Sequence, residues 1–167
     1  MSDVSAALER HHQAATDFLA AARAIPLARW SQPRAPGKWS PGQVVEHVTL
    51  AYEVSREILQ GHVRGVVILR LLRPLVRRLV FQPVLRRGAF FPRSSSPPAF
   101  RPSVSPAEPG PAIDRLAATL AAFEADAASL ASSQLDHPAF GRIAVADFVR
   151  LQEIHARHHR GQLTPAG

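Results

Sequence analysis

Four stretches of this chain repeat apolar residues at intervals of three and four, the period of a helix with one buried face. Over residues 3 to 24 the stripe holds Val4, Leu8, His11, Ala15, Phe18 and Ala22, with alanines filling the turns between. Ile25-Pro26 ends it, because a residue before proline avoids helical backbone. A second helix is predicted from Pro41 to about Gly61. Ser40 stands as its N-cap, Pro41 takes the first helical position and Gln43 completes a capping box at the third. Trp39 and Val44 occupy the positions of a hydrophobic staple. The buried stripe collects Val44, His47, Val48, Ala51, Val54, Ser55 and Ile58. The third helix, about Ala112 to Ser132, steps through Ile113, Leu116, Leu120, Phe123, Ala127 and Leu130. The fourth follows a poor cap at Ala144 and puts Phe148, Leu151, Gln152, His155, His159 and Gln162 within a stripe about 100° wide. No convincing strand pattern is present, so the expectation is an all-α chain folded as a four-helix bundle.

The second and third helices are separated by about 50 residues, which suits a crossover or a lid better than a tight hairpin. Residues 62 to 87 read as one or two short helices broken at Pro74 and Pro83. Charges interrupt every apolar run there, and none approaches the ~20 residues needed to span a bilayer. Gly88 to Pro111, dense in proline and serine, is predicted as loop, as is Ser133 to Ala144. A chain of 167 residues fits one domain, 1–167, with 62–110 as a variable insertion or lid.

The charge changes the picture of that connection. The net charge is +7, yet between Ile58 and Ala107 there are nine arginines and no acid, and the remainder carries 11 basic and 13 acidic side chains. Basicity is thus one segment's property, which weakens a nucleic-acid reading from pI alone. The simplest account is an apolar cover over the bundle with solvated arginines. The alternative is an anionic-surface binder, for membrane or nucleic acid, acting through residues 64–87. Cysteine is absent, which excludes disulfides, thiolate metal sites and a cysteine nucleophile. The first residues, M-S-D-V-S-A-A-L-E-R, lack the order of a signal peptide, so a cytoplasmic location is expected. Neither a Gly-rich phosphate loop nor a G-x-S-x-G elbow occurs.

Candidate chemistry lies in the histidines. In I-H-A-R-H-H-R-G-Q-L, residues 154–163, His155 and His159 stand one turn apart on one helical face. Both point where the helix buries itself, and two stacked imidazoles in an apolar interior are costly without a partner. A shared divalent metal ion, such as zinc, nickel or iron, is an economical one, and it needs a third ligand. His47, inward on the second helix, is the candidate. His158 lies at the edge of the stripe and is the poorer ligand, while Gln162 is read equally as an amide that orients a ligand or water and as a core or capping amide. His11 is expected as a hydrogen-bonded core residue, with a pocket-lining role as the minority reading. Glu46 and Glu153 point away from the inward stripes, so no general base is identified.

Three stretches together resemble the DinB/YfiT-like superfamily, specifically its DinB_2-type members: K-W-S-P-G-Q-V-V-E-H-V at 38–48, H-P-A-F-G-R-I at 137–143, and the 154–163 motif. The resemblance implies a four-helix bundle with a three-histidine metal site, whose ligands fall on His47, His155 and His159. It also implies a metalloenzyme acting on a small-molecule substrate, either transferring a low-molecular-weight thiol such as bacillithiol or mycothiol or acting as a hydrolase, and often homodimeric. Relatives often place Thr or Ser where this chain has Ala144. A metal-holding domain without catalysis is the rival expectation.

Overall fold

The computed structural model describes residues 4–91, 96–130 and 134–163. Four long helices make the bundle: α1 (Val4–Arg23), α3 (Pro41–Leu59), α6 (Pro109–Ser129) and α7 (Val145–Leu163), with a single turn, α2 (Leu27–Trp30), after α1. α1 packs along α7 and α6, and α3 packs along α6. α3 and α7 meet far less, so the seam between them stays open. Phe18, Tyr52, Leu116, Phe123 and Phe148 fill the centre.

The start of α3 follows its sequence signals closely. Gln43 N–H donates to Ser40 Oγ at 3.3 Å, and Ser40 N–H donates back to Gln43 Oε1 at 3.0 Å, completing the capping box with Pro41 in the first turn. The chain around Ser105 lies directly on this turn. Ser40 Oγ and Ser105 Oγ are 3.1 Å apart, and the buried Trp30 donates its indole N–H to the Pro106 carbonyl at 2.7 Å. A β-carbon at Gly42 would fall 2.6 Å from Ser105 Oγ and 2.9 Å from Trp30 Nε1, so only glycine permits this approach.

Where a loop was expected after the third helix, a small antiparallel hairpin forms from β1 (Gln134–His137) and β2 (Gly141–Ala144), pairing Leu135 with Ile143 and His137 with Gly141. Leu135, His137 and Ile143 are buried while Asp136 faces out. Four residues are too few for that alternation to stand out from sequence. Gly141 closes the three-residue turn at φ 68°, in the left-handed region. Ala144 ends β2 and Val145 begins α7, so strand runs straight into helix, and Asp147 supplies the negative charge in the first turn. The third helix starts at Pro109, earlier than expected; its expected end, Ser132, lies outside the described residues, as do residue 3 of the first helix and Arg93 of the basic segment.

The two prolines in the connection do not break it. From Arg70 to Arg87 the chain is helical throughout: a 3-10 turn (Arg70–Leu72), α4 (Arg73–Val76), a π turn (Arg77–Phe81) and α5 (Gln82–Arg87). Pro74 sits in the first turn of α4, where its missing N–H costs nothing. The π turn contains Leu79, whose carbonyl the Pro83 ring would otherwise strike, and the widened turn accommodates it. Phe81, Val84 and Leu85 are buried, with α5 seated against α7. The hairpin holds the other end: Ile68 N–H donates to the Pro138 carbonyl at 3.1 Å, and Arg77 Nη1 to the Arg142 carbonyl at 2.7 Å. No described helix is long and apolar enough to cross a membrane.

Replacing Gly42 by alanine is expected to lower unfolding free energy by about 1–3 kcal/mol, because either Trp30 or the Ser105 segment must move. Urea denaturation measures this, and a wild-type midpoint would rule out the close approach.

Candidate metal centre

His47, on the second turn of α3, meets His155 and His159 of α7 across the open seam. One nitrogen from each ring lies within 4.8 Å of the other two, and His47 Nε2 stands 3.1 Å from His155 Nε2. Two nitrogens bound at 2.0–2.1 Å to one tetrahedral ion would be separated by about 3.3 Å.

The outer nitrogens show which edge each ring presents. His47 Nδ1–H donates to the Phe100 carbonyl at 2.6 Å, leaving the Nε2 lone pair directed at His155. His159 Nδ1–H donates to Gln162 Oε1 at 2.9 Å, and the Gln162 amide in turn donates to His158 Nε2 at 3.2 Å. Both rings thereby have one tautomer selected by a neighbour outside the cluster, the usual companion of histidine ligation.

Electrostatics keep the rings neutral. Burial pushes the His159 imidazole down to about 3, assisted by repulsion from His47. His155, enclosed by protein except where it borders the cavity, is held well below its ordinary value by burial and then by repulsion from His159 and His47. His47 is lowered by burial, although its bond to Phe100 opposes that. Three uncharged imidazoles around one point form a donor set that suits a divalent cation.

The cluster opens on a cavity of about 960 Å³ running along the α3–α7 seam beneath the arginine-rich connection. Trp39 covers one side, with its ring centre 4.7 Å from that of His47 and 6.4 Å from that of His159. Phe90 lies edge-on to His155 and His158. Val54, Ile58, Val76, Val80, Phe140 and Leu151 give the cavity apolar walls, and Arg34, Lys38, Arg64 and Arg101 also line it. Among the described residues no carboxylate lines the cavity. Gln152, on the same stripe of α7, is 7% exposed, and its Oε1 has no hydrogen-bond partner among the described residues.

The remaining histidines divide. His158 is partly exposed on the rim beside Gln162. His11 is not part of the cavity wall. It is fully buried between α1, α3 and α6, with Nδ1 2.8 Å from Glu124 Oε1 and Nε2 2.8 Å from Tyr52 Oη. Glu46 pairs with Arg115 on the bundle's outer face. Glu153 is away from the cavity as expected but is buried, paired with Arg10 and Arg157, because α7 is covered on its α1 side as well.

Three neighbours escaped the sequence reading. Gln152 was visible on the inward stripe, and its unpaired oxygen was not. His137, present in the H-P-A-F-G-R-I motif, proves to be a cavity wall, stacked on Phe140 and edge-on to Phe148. The Phe100 carbonyl lies in a proline-rich stretch with no periodic signal.

A family model described as "Protein of unknown function (DUF1569)" matches residues 8–166. Among solved structures the chain is similar to YfiT from Bacillus subtilis, described as "a probable metal-dependent hydrolase with an unusual four-helix bundle topology". The TM-score is 0.56 at 15% identity, over 96% of this chain and 83% of that one. The fold is therefore DinB/YfiT-like. No curated protein matches.

His137 gives the metal-free protein an acid sensitivity. Its Nδ1 accepts a hydrogen bond from Ala139 N–H at 3.1 Å, and burial, then the charge of Arg73, lowers it to about 4. The folded state keeps this ring neutral while the unfolded chain protonates it below about 6.5, so stability falls as pH drops from there toward 4, by roughly 3 kcal/mol for this group. Denaturation of apoprotein across that range should show the decline, and a smaller one in His137→Gln. An unchanged slope in the variant would exclude the assignment.

Proposed function

The chain belongs to the DUF1569 family, and we propose that it is a metal-dependent hydrolase of small molecules in which His47, His155 and His159 hold one divalent ion, zinc, nickel or iron. The observation that supports this most is the convergence of three imidazoles, two of which have their outer nitrogens tied to Phe100 and Gln162. Once bound, such an ion lowers the pKa of a coordinated water and polarises a substrate carbonyl. The chain's own groups do the rest. Phe100 and Gln162 fix the ligand rings, and Trp39 and Phe90 restrict water around them. Gln152 Oε1, buried and without a hydrogen-bond partner among the described residues, is an acceptor for a proton on a molecule in the cavity. The apolar walls fit a substrate with an apolar body.

Thiol transfer is the second reading, and the lack of a carboxylate among the described residues that line the cavity favours it. Water needs its pKa lowered from about 15.7, whereas a free thiol starts near 8.5 and needs less help. A low-molecular-weight thiol attacking an electrophile would then be the reaction.

Purified protein should contain one equivalent of metal, and His47→Ala, His155→Ala and His159→Ala should each lose it while keeping their helical circular dichroism. Full metal content in all three variants would defeat the reading. Gln162→Leu, which removes only the outer support of His159, should weaken metal affinity about 10–100-fold. Activity is checked with aryl esters and with thiol–electrophile pairs. Turnover that stops on chelation, returns with metal and fails in the histidine variants supports an enzyme, and metal binding without turnover on either panel points to a non-catalytic bundle.

A further inference from the structure

The cover over the cavity is apolar on both sides. Ile68, Val76 and Val80 line the cavity, and Phe81, Val84 and Leu85 are buried. On the outer side Val63, Val67, Leu69, Leu71, Leu72, Leu75 and Leu79 stand exposed, Leu71 by 94%. Outside the span Val63–Val80 only Leu27 and Val104 are comparably exposed large apolar side chains among the described residues. The exposed apolar side chains are therefore concentrated in this one element, with Leu71, Leu75 and Leu79 four apart along it, and apolar surface gathered in this way marks an interaction surface.

What covers it is indicated by the charges that border it. Arg70, Arg78 and Arg86 are exposed with no carboxylate in ion-pair range among the described residues. The whole stretch from Ile58 to Ala107 lacks an acidic residue. A second copy docked symmetrically through the same face would set arginines against arginines with no acid in the segment to offset them. A nucleic acid would use the arginines and leave the leucines in water. An anionic bilayer uses both: leucines enter the boundary of the acyl chains while long arginine side chains reach back to lipid phosphates. No described helix is fit to cross the membrane, so the contact is with its surface.

We propose that the outer face of residues 63–80, with Leu69, Leu71, Leu72, Leu75 and Leu79 bordered by Arg70 and Arg78, docks this protein on anionic membrane surfaces. The inference is independent of the metal site, which lies beneath the cover.

Vesicle co-sedimentation tests it, using full-length protein with phosphatidylglycerol–phosphatidylcholine mixtures and with phosphatidylcholine alone. Binding is expected to the mixed vesicles, weaker with added salt and weaker still on phosphatidylcholine. The variant Leu71→Ser, Leu75→Ser, Leu79→Ser should lose most of the binding. Arg70→Gln with Arg78→Gln should weaken it by about fivefold per arginine, through loss of the preference for anionic lipid. These side chains are exposed, so unchanged melting and metal content identify variants that remain folded. Equal binding by wild type and the leucine variant, or no binding to mixed vesicles, overturns the proposal. So does a dimer, seen by sedimentation, that dissociates in the leucine variant, or tight RNA binding that ignores the leucines.

Discussion

Three imidazoles meeting at one metal site each have to show a lone pair to one point and place their remaining N–H elsewhere. That requirement organises much of what surrounds them. It explains why the Phe100 carbonyl stands beside His47, and why Gln162 sits three residues beyond His159. It also explains the opening between α3 and α7. Helices packed ridge into groove along their whole length would leave no room for three rings and a cavity. The bundle instead closes tightly along α1–α7 and α3–α6 and remains wide on the one side where the histidines project.

Much of this was legible in the residues themselves. The four long helices follow from period and capping, and the convergence of His47, His155 and His159 from the faces those periods define. Less legible was whatever depended on contacts between distant segments. The hairpin at Gln134–Ala144 is too short to alternate visibly, and its strands hold together because Leu135 and Ile143 enter a core that other elements build. Pro74 and Pro83 suggested breaks, whereas one occupies a first turn and the other follows a widened one. Glu153 gave no sign of burial, since its partner Arg10 lies on α1, far away in the chain.

The arginine-rich connection reconciles two demands that conflict in sequence. It must be apolar to roof an apolar cavity, yet it crosses the protein's outer surface. Its inner residues are secured by Phe81 against Phe140 and by the backbone bond from Ile68 to the hairpin turn. Its outer leucines stand exposed instead. The arginines between them supply the hydration that keeps the segment compatible with water.

Tyr52 shows how a group outside the cavity sets distances within it. Its hydroxyl, rooted on α3, is bonded to the Gln152 carbonyl of α7 at 3.0 Å and to His11 of α1, which is held in turn by Glu124 of α6. Elsewhere α1 offers α7 and α6 a largely alanine surface, Ala7, Ala14, Ala15 and Ala22, and such smooth rods can slide along one another with little change in burial. The phenol acts as a dowel through all four of them. Axial alignment, and with it the reach from one rod's imidazole to the other's pair, is thus gauged by a tyrosine that no substrate need ever touch.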